Sequence, residues 1–217
     1  MSTAAAAGRP YAGKGLADRR SEQRERILMA ARDVFATRRY GGAAVEDIVA
    51  RARVSRTTFY MFFENKEQCL LAVHRVGLER IGTAVIAAAA RSAEQGLAPP
   101  ALIRAEVRAV LGAYAEDPAM ARILLIEIVG ATPAAERAHV RSRGVAASII
   151  QTRLEQYSFW RRRSPAHRRI ASLATMAAIG EALSDLVTSG RIGEWETLVG
   201  PVSEFIGRAL IDPDDLS

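Results

Sequence analysis

Residues 45–66, VEDIVARARVSRTTFYMFFENK, constrain this chain more than any other stretch. Val45, Ile48, Val49 and Ala52 fall three and four apart, the spacing that lines one face of a short helix. Ala52-Arg53-Val54 breaks that pattern. Ser55 can then cap a second helix, because its hydroxyl can accept from the free N–H groups two or three residues on. Phe59, Phe62 and Phe63 place apolar groups on the inner side of this second helix and leave Arg56, Thr57, Thr58 and Tyr60 pointing outward. Two short helices with a tight turn, the second presenting polar and basic groups, fit a DNA-binding helix-turn-helix. An ordinary helical hairpin in an all-α core fits the same pattern, so the flanks have to decide.

Upstream, Arg24–Thr37 (RERILMAARDVFAT) carries Ile27, Leu28, Ala31, Val34 and Phe35 on one stripe, and Tyr40-Gly41-Gly42 ends it. Downstream, Asn65-Lys66-Glu67 opens a long helix. In this order the segments ILMAARDVFA, the Gly41 break, VEDIVARARVS, TTFYMFF and NKEQCL closely resemble the N-terminal domain of the tetracycline-repressor (TetR) family of bacterial transcription regulators. The resemblance covers residues 22–72, about a quarter of the chain. There are departures. Arg53 stands where the family usually has glycine, Ala43-Ala44 where a Thr or Ser cap is usual, and Phe62 where a His is common. A non-glycine residue at positive φ strains the turn or reshapes it, and a missing cap weakens a helix start by about 1 kcal/mol.

The resemblance implies a dimer that reads a near-palindromic double-stranded DNA operator and answers to a small-molecule effector. The DNA-contacting residues are then Ser55, Arg56, Thr57, Thr58, Tyr60 and Lys66. Arg56 and Thr57 lie in the first turn of the recognition helix, the part that enters the major groove. Thr58, Tyr60 and Lys66 match family positions that hold phosphates.

Charge agrees with this placement. Residues 1–66 hold 13 basic and 7 acidic residues, whereas residues 67–217 hold 17 of each. The whole net charge of +6 therefore lies in the part expected to meet phosphates. At 217 residues and 49% hydrophobic content the chain can bury a sizeable core as one large domain or two small ones. Helix formers dominate and no period-2 strand stands out, so the expected fold class is all-α, with about nine helices. Cys69 is the single cysteine, which excludes an internal disulfide, and its Leu70-Leu71 neighbours suggest a buried thiol. Three His without a Cys/His cluster give no metal site, and no cofactor is expected. No signal-peptide core and no apolar run of the ~20 residues that span a bilayer are evident, so the expected location is cytoplasmic with no membrane partner.

Along the chain, residues 1–20 read as a flexible tail, 21–66 as the helix-turn-helix domain and 67–217 as an effector-binding and dimerisation domain. The tail is Ala- and Gly-rich with Lys14, Arg19 and Arg20; it is either an idle leader or a basic arm for the minor groove. Helices are expected near 22–37, 44–51, 55–62 and 65–92 in the first part of the chain. Helices near 100–116, from Asp117-Pro118, and near 133–158, 165–189 and 194–210 follow, with Tyr157–Ser164 as a basic, aromatic corner. Leu173, Met176, Gly180, Leu183 and Val187, and then Trp195, Leu198, Val202, Phe205 and Leu210, repeat at helical steps. These last two helices either complete the monomer core or, as the resemblance implies, form the dimer interface. Glu127 sits between Ile123 and Ile128 on the apolar stripe of its helix. Burying it there requires a partner, either Arg104 or Arg108 in an ion pair, or an effector in a pocket walled by Tyr114, Met120, Ile123, Trp160 and Met176.

Two other functions remain open: an enzyme, and a non-specific nucleic-acid-binding helical protein. Against the first, no Ser/His/Asp or Cys/His arrangement, phosphate loop or metal spacing is present, so no catalytic residue is assigned. Against the second, the basic excess is concentrated in one motif.

Overall fold

A computed structural model describes residues 16–155 and 157–211. Most of the expected tail, residues 1–15, lies outside the described residues. The described residues form ten α-helices with two short irregular turns and no strand. The first, α1 (Leu16–Gly42), starts six residues before the expected position and runs past a bend at Arg39. Then come α2 (Val45–Ala52), α3 (Arg56–Tyr60) and the long α4 (Lys66–Glu94), which Asn65 caps by accepting from the Gln68 N–H at 2.9 Å. At 29 residues α4 reaches about 40 Å, enough to leave the N-terminal bundle and line the rest of the molecule.

α5 (Pro99–Ala115) and α6 (Pro118–Arg122) follow, each with proline in its first turn, where the missing N–H leaves no bond unmade. Asp117 caps α6, accepting from the Met120 N–H at 3.0 Å. Its other oxygen takes Arg32 of α1 at 2.8 Å and Arg80 of α4 at 3.3 Å, so one carboxylate joins three helices. The chain then widens into a π-helical turn, Ile123–Glu127. Beyond it lie α7 (Pro133–Leu154), α8 (Ser158–Arg162), α9 (Pro165–Thr188), a 3-10 turn (Ile192–Glu194) and α10 (Glu196–Leu210). The expected corner at 157–164 is thus partly helical, and Phe159 and Trp160 are buried in it. Arg161 and Arg162 at the end of α8 are exposed.

Two clusters of buried side chains hold these helices. One contains Ile27, Ala31, Phe35, Ile48, Phe59 and Leu70 of the first four helices and Phe63 of the link between α3 and α4, but also Met120, Ile123, Leu124 and Ile128. The other joins Leu111 of α5, Trp160 of α8, Leu183 of α9, and Val199 and Ile206 of α10. Tyr114 packs against both. Cys69 is fully buried, and burial pushes its thiol up to about 12, so it is inert as a nucleophile.

α4 and α6 touch at Gly77. A Cβ there would lie 2.6 Å from Met120 Sδ and 3.0 Å from a Leu124 methyl. Gly77→Val is expected to lower stability by about 1–3 kcal/mol through overpacking, whatever helix propensity it adds. Urea denaturation checks this, and Gly82→Val, where nothing lies within 4 Å, serves as the control.

α9, at 24 residues, is long and apolar enough by length and composition to cross a membrane. Its apolar residues have another use here, since Ala171, Ile179, Leu183 and Leu186 are buried inside the bundle.

Candidate nucleic-acid interface

The helix-turn-helix is built as the local sequence dictates. Ser55 Oγ accepts from the Thr58 N–H at 3.0 Å and lies 2.9 Å from Thr58 Oγ1, which fixes the start of α3. Phe59 is fully buried and Phe63 nearly so, their rings tilted at 47° with centroids 5.5 Å apart, so the inner face of α3 is anchored. Arg56, Thr57 and Tyr60 are exposed and Thr58 is half-buried. Arg56 pairs with Glu46 of α2 and lies over the Tyr60 ring at 5.8 Å. These are surface contacts that a guanine edge or a phosphate can replace.

The departures from the family pattern have structural answers. Arg53 does adopt the left-handed conformation, φ 52 and ψ 50, that glycine usually supplies. Val54 still closes the turn, its N–H bonding to Val49 C=O at 3.1 Å. Ala44 cannot cap α2 with a side chain, but Asp47 reaches back to accept the Ala44 N–H at 3.0 Å. That is half of a capping box, and its signal was the acidic residue three positions into the helix. Asp47 also accepts from Arg38 of α1 at 2.7 Å.

Lys66 is turned inward relative to its expected role. Its ammonium donates to Tyr40 C=O and Ala43 C=O, each at 2.8 Å, and sits 4.3 Å from the Tyr40 ring centroid. In this arrangement it braces the link between α1 and α2. The helix-end carbonyls near Gly41-Gly42 need donors, but Arg51, Arg53 and Arg56 stand nearer in sequence, so no spacing singled out Lys66.

Residues 27–73 match the family model described as bacterial regulatory proteins, tetR family. These residues form a TetR-family DNA-binding segment. Over 67 residues, 30% of its length, the chain is 39% identical to the HTH-type transcriptional activator FasR of Mycolicibacterium smegmatis. That match spans only 31% of FasR. Beyond the shared DNA-binding domain the likeness is one of fold. The fatty acid degradation regulator FadR of Bacillus halodurans superposes with a TM-score of 0.69 at 20% identity, over 89% of this chain and 96% of that one. FadR of Bacillus subtilis, solved in complex with stearoyl-CoA, gives 0.68 at 17% identity, over 86% and 99%.

In this fold the six residues expected around an effector are not gathered at either surface groove. Met120 and Ile123 pack in the first cluster, against the DNA-binding helices, and Trp160 is in the second. Met176 is half-buried and belongs to neither. Two surface grooves, of about 620 and 760 Å³, lie beside α5 and between α7 and α9, and none of the six lines them. Glu127 is buried, but its partner is neither Arg104 nor Arg108. Oε1 accepts from Arg122 Nε at 3.2 Å and Oε2 from the Tyr40 N–H at 3.0 Å. Arg108 instead pairs with Glu196 at 3.3 Å. The i, i+4 logic of helix faces pointed Glu127 into the second domain, but the π turn faces it toward α1.

Trp160 is fully buried, and its indole N–H, like Arg168 Nε, has no partner among the described residues. The Tyr114 hydroxyl makes no hydrogen bond among the described residues, and burial raises it to about 12, so it stays protonated.

Proposed function

We propose that this chain is a ligand-responsive repressor. It binds a near-palindromic operator as a homodimer and is released by a small hydrophobic effector. The observation that carries the reading is the α3 surface. Arg56, Thr57 and Tyr60 are exposed on a helix whose opposite side is locked into the core by Phe59. Two such helices related by a two-fold axis enter successive major grooves about 34 Å apart. Residues 21–66 then act as the reading head and 67–217 as the effector and dimer domain. The reading places the protein with DNA in the cytoplasm and assigns it no catalytic step.

Support for the effector comes from the second cluster. The Trp160 N–H, unpaired among the described residues, and the hydroxyl of the half-buried Tyr114 offer donors in and beside an apolar core, the makeup of a small-molecule site. They suit an apolar ligand bearing a carbonyl-type acceptor. Long-chain acyl thioesters are the first class to test, since a protein of the same fold was solved with stearoyl-CoA. Such a ligand releases DNA only if it binds one spacing of the heads better than the other.

Selection of bound sequences from random duplex DNA tests the function. A palindrome with half-sites one helical turn apart is expected, and a pool with no enriched sequence overturns the reading. On the selected operator, Arg56→Ala is expected to weaken binding roughly tenfold to a hundredfold and to relax one base position. Thr58→Ala and Tyr60→Phe are expected to weaken all sequences about equally. Unchanged base preference in Arg56→Ala, measured by competition with single-base variants, removes Arg56 from the reading set.

A further inference from the structure

The bend at the end of α1 is held from outside the helix. Arg39 has φ 60 and ψ 162, a combination left almost entirely to glycine because a Cβ makes it costly. Its exposed side chain makes no hydrogen bond or ion pair among the described residues, so it does not secure the bend itself. The next peptide does. The Tyr40 N–H donates to Glu127 Oε2 at 3.0 Å, and the Tyr40 C=O accepts from Lys66 Nζ at 2.8 Å. One main-chain unit is thus gripped by an acid from the π turn and a base from the start of α4. Three residues on, Ala43 is gripped by the same lysine, and α2 begins two residues later.

The acid rests on a turn with two possible registers. Ile123–Glu127 is π-helical, with one residue more per turn than an α-helix, and such turns recur at functional sites. Drawing that residue out would rotate Glu127 by about 100° about the axis and take its carboxylate off Tyr40. The segment ahead of it is also tied to α1, through Asp117 and Arg32 at 2.8 Å. Any movement of residues 117–128 therefore reaches α1 at two places, and the second lies beside the start of the helix-turn-helix.

We propose that Glu127 is a positioning residue: by holding the Tyr40 peptide it keeps the strained bend at Arg39 closed and sets the reading head, and its withdrawal with the π turn frees the head. This rests on the proposed operator binding, and it gives Glu127 a part in transmission where an effector contact had been expected. The strained bend supplies the tendency to open, the carboxylate opposes it, and the π turn gives the two discrete arrangements that coupling between sites requires.

Four full-length proteins test it: Glu127→Ala, Glu127→Gln, Arg39→Gly, and Arg39→Gly combined with Glu127→Ala. In Glu127→Ala, deuterium exchange at the Tyr40 amide is expected to rise about tenfold or more while Ile27–Phe35 stays protected. Affinity for the selected operator is expected to fall about tenfold. Glu127→Gln, whose amide oxygen can still accept from the Tyr40 N–H, is expected to stay within about threefold of the parent. Arg39→Gly should restore binding in the double variant, because glycine takes up the bend without being held. A Glu127 whose role is stability alone would not be relieved at Arg39. Unchanged Tyr40 exchange in Glu127→Ala, or an operator loss that Arg39→Gly leaves in place, overturns the proposal. Should no operator be selected, operator binding itself fails, and the exchange measurement still decides whether Glu127 holds the bend.

Discussion

Lowering the pH from 7.5 to 4 is expected to remove about 3 kcal/mol of stability through His74 alone. His74 lies buried on α4, and its pKa falls from 6.5 to about 4, first because burial strips water from the imidazolium and second because His139 of α7 stands nearby. His139 is itself held below its ordinary value by burial and by Arg143, against a smaller opposing pull from Glu136. The sign follows from proton uptake. The unfolded chain binds the proton near 6.5 and the folded chain near 4, so between those values the unfolded state carries the extra proton. The contribution is intact above 6.5, drains away as pH falls, and is gone below the folded value. Urea denaturation at several pH values measures it. Carboxylates that lose partners in acid act in the same direction, so the decisive quantity is the difference from His74→Leu. That variant loses no hydrogen bond among the described residues, and leucine fills a similar space. A pH dependence of the same steepness in His74→Leu would show that the acid sensitivity resides elsewhere.

The helix-turn-helix was legible because its determinants are local. Ser55 to Thr58, Asn65 to Gln68 and Asp117 to Met120 are caps within three residues, and Phe59 and Phe63 sit one turn apart on one face. The rest depended on contacts that no spacing encodes. That Glu127 needed a partner could be read from Ile123 and Ile128 around it. That, besides Arg122 nearby, it takes a backbone N–H 87 residues away could not. Periodicity failed in α9 for a different reason. Alanines and aliphatics occur all round that helix, so a stripe through Leu173, Met176, Gly180 and Leu183 looked as good as the buried one through Ala171, Thr175, Ile179 and Leu183. The short α8 escaped because a five-residue helix has no period to detect, although Phe159-Trp160 marked the place where the chain turns inward.

Phe205→Asp is expected to split the proposed homodimer and take operator binding with it. Phe205 is 55% exposed on α10, and Ile170 on α9 is 64% exposed. A two-fold pairing of α9 and α10 would cover both, and the exposed Ala177 lets two helices approach closely. Each ring buried on pairing is worth about 2 kcal/mol, and a two-fold axis counts it twice, so the dissociation constant should rise roughly a thousandfold or more. An uncompensated carboxylate in the contact adds to that. Leu183, which the sequence stripe placed on the same surface, is the wrong probe. It is fully buried in the second cluster, so a charge there would unfold the monomer before it reported on pairing. Phe205→Asp leaves that cluster intact, and its helix content and urea midpoint as a monomer should show it folded. Sedimentation equilibrium reads the association directly. Two heads released from one another lose the benefit of binding both half-sites together, so operator affinity should fall in step with the monomer fraction. A Phe205→Asp protein that sediments as an unperturbed dimer would place the interface on another face, and one that becomes monomeric yet holds its operator undiminished would remove the need for a dimer in recognition.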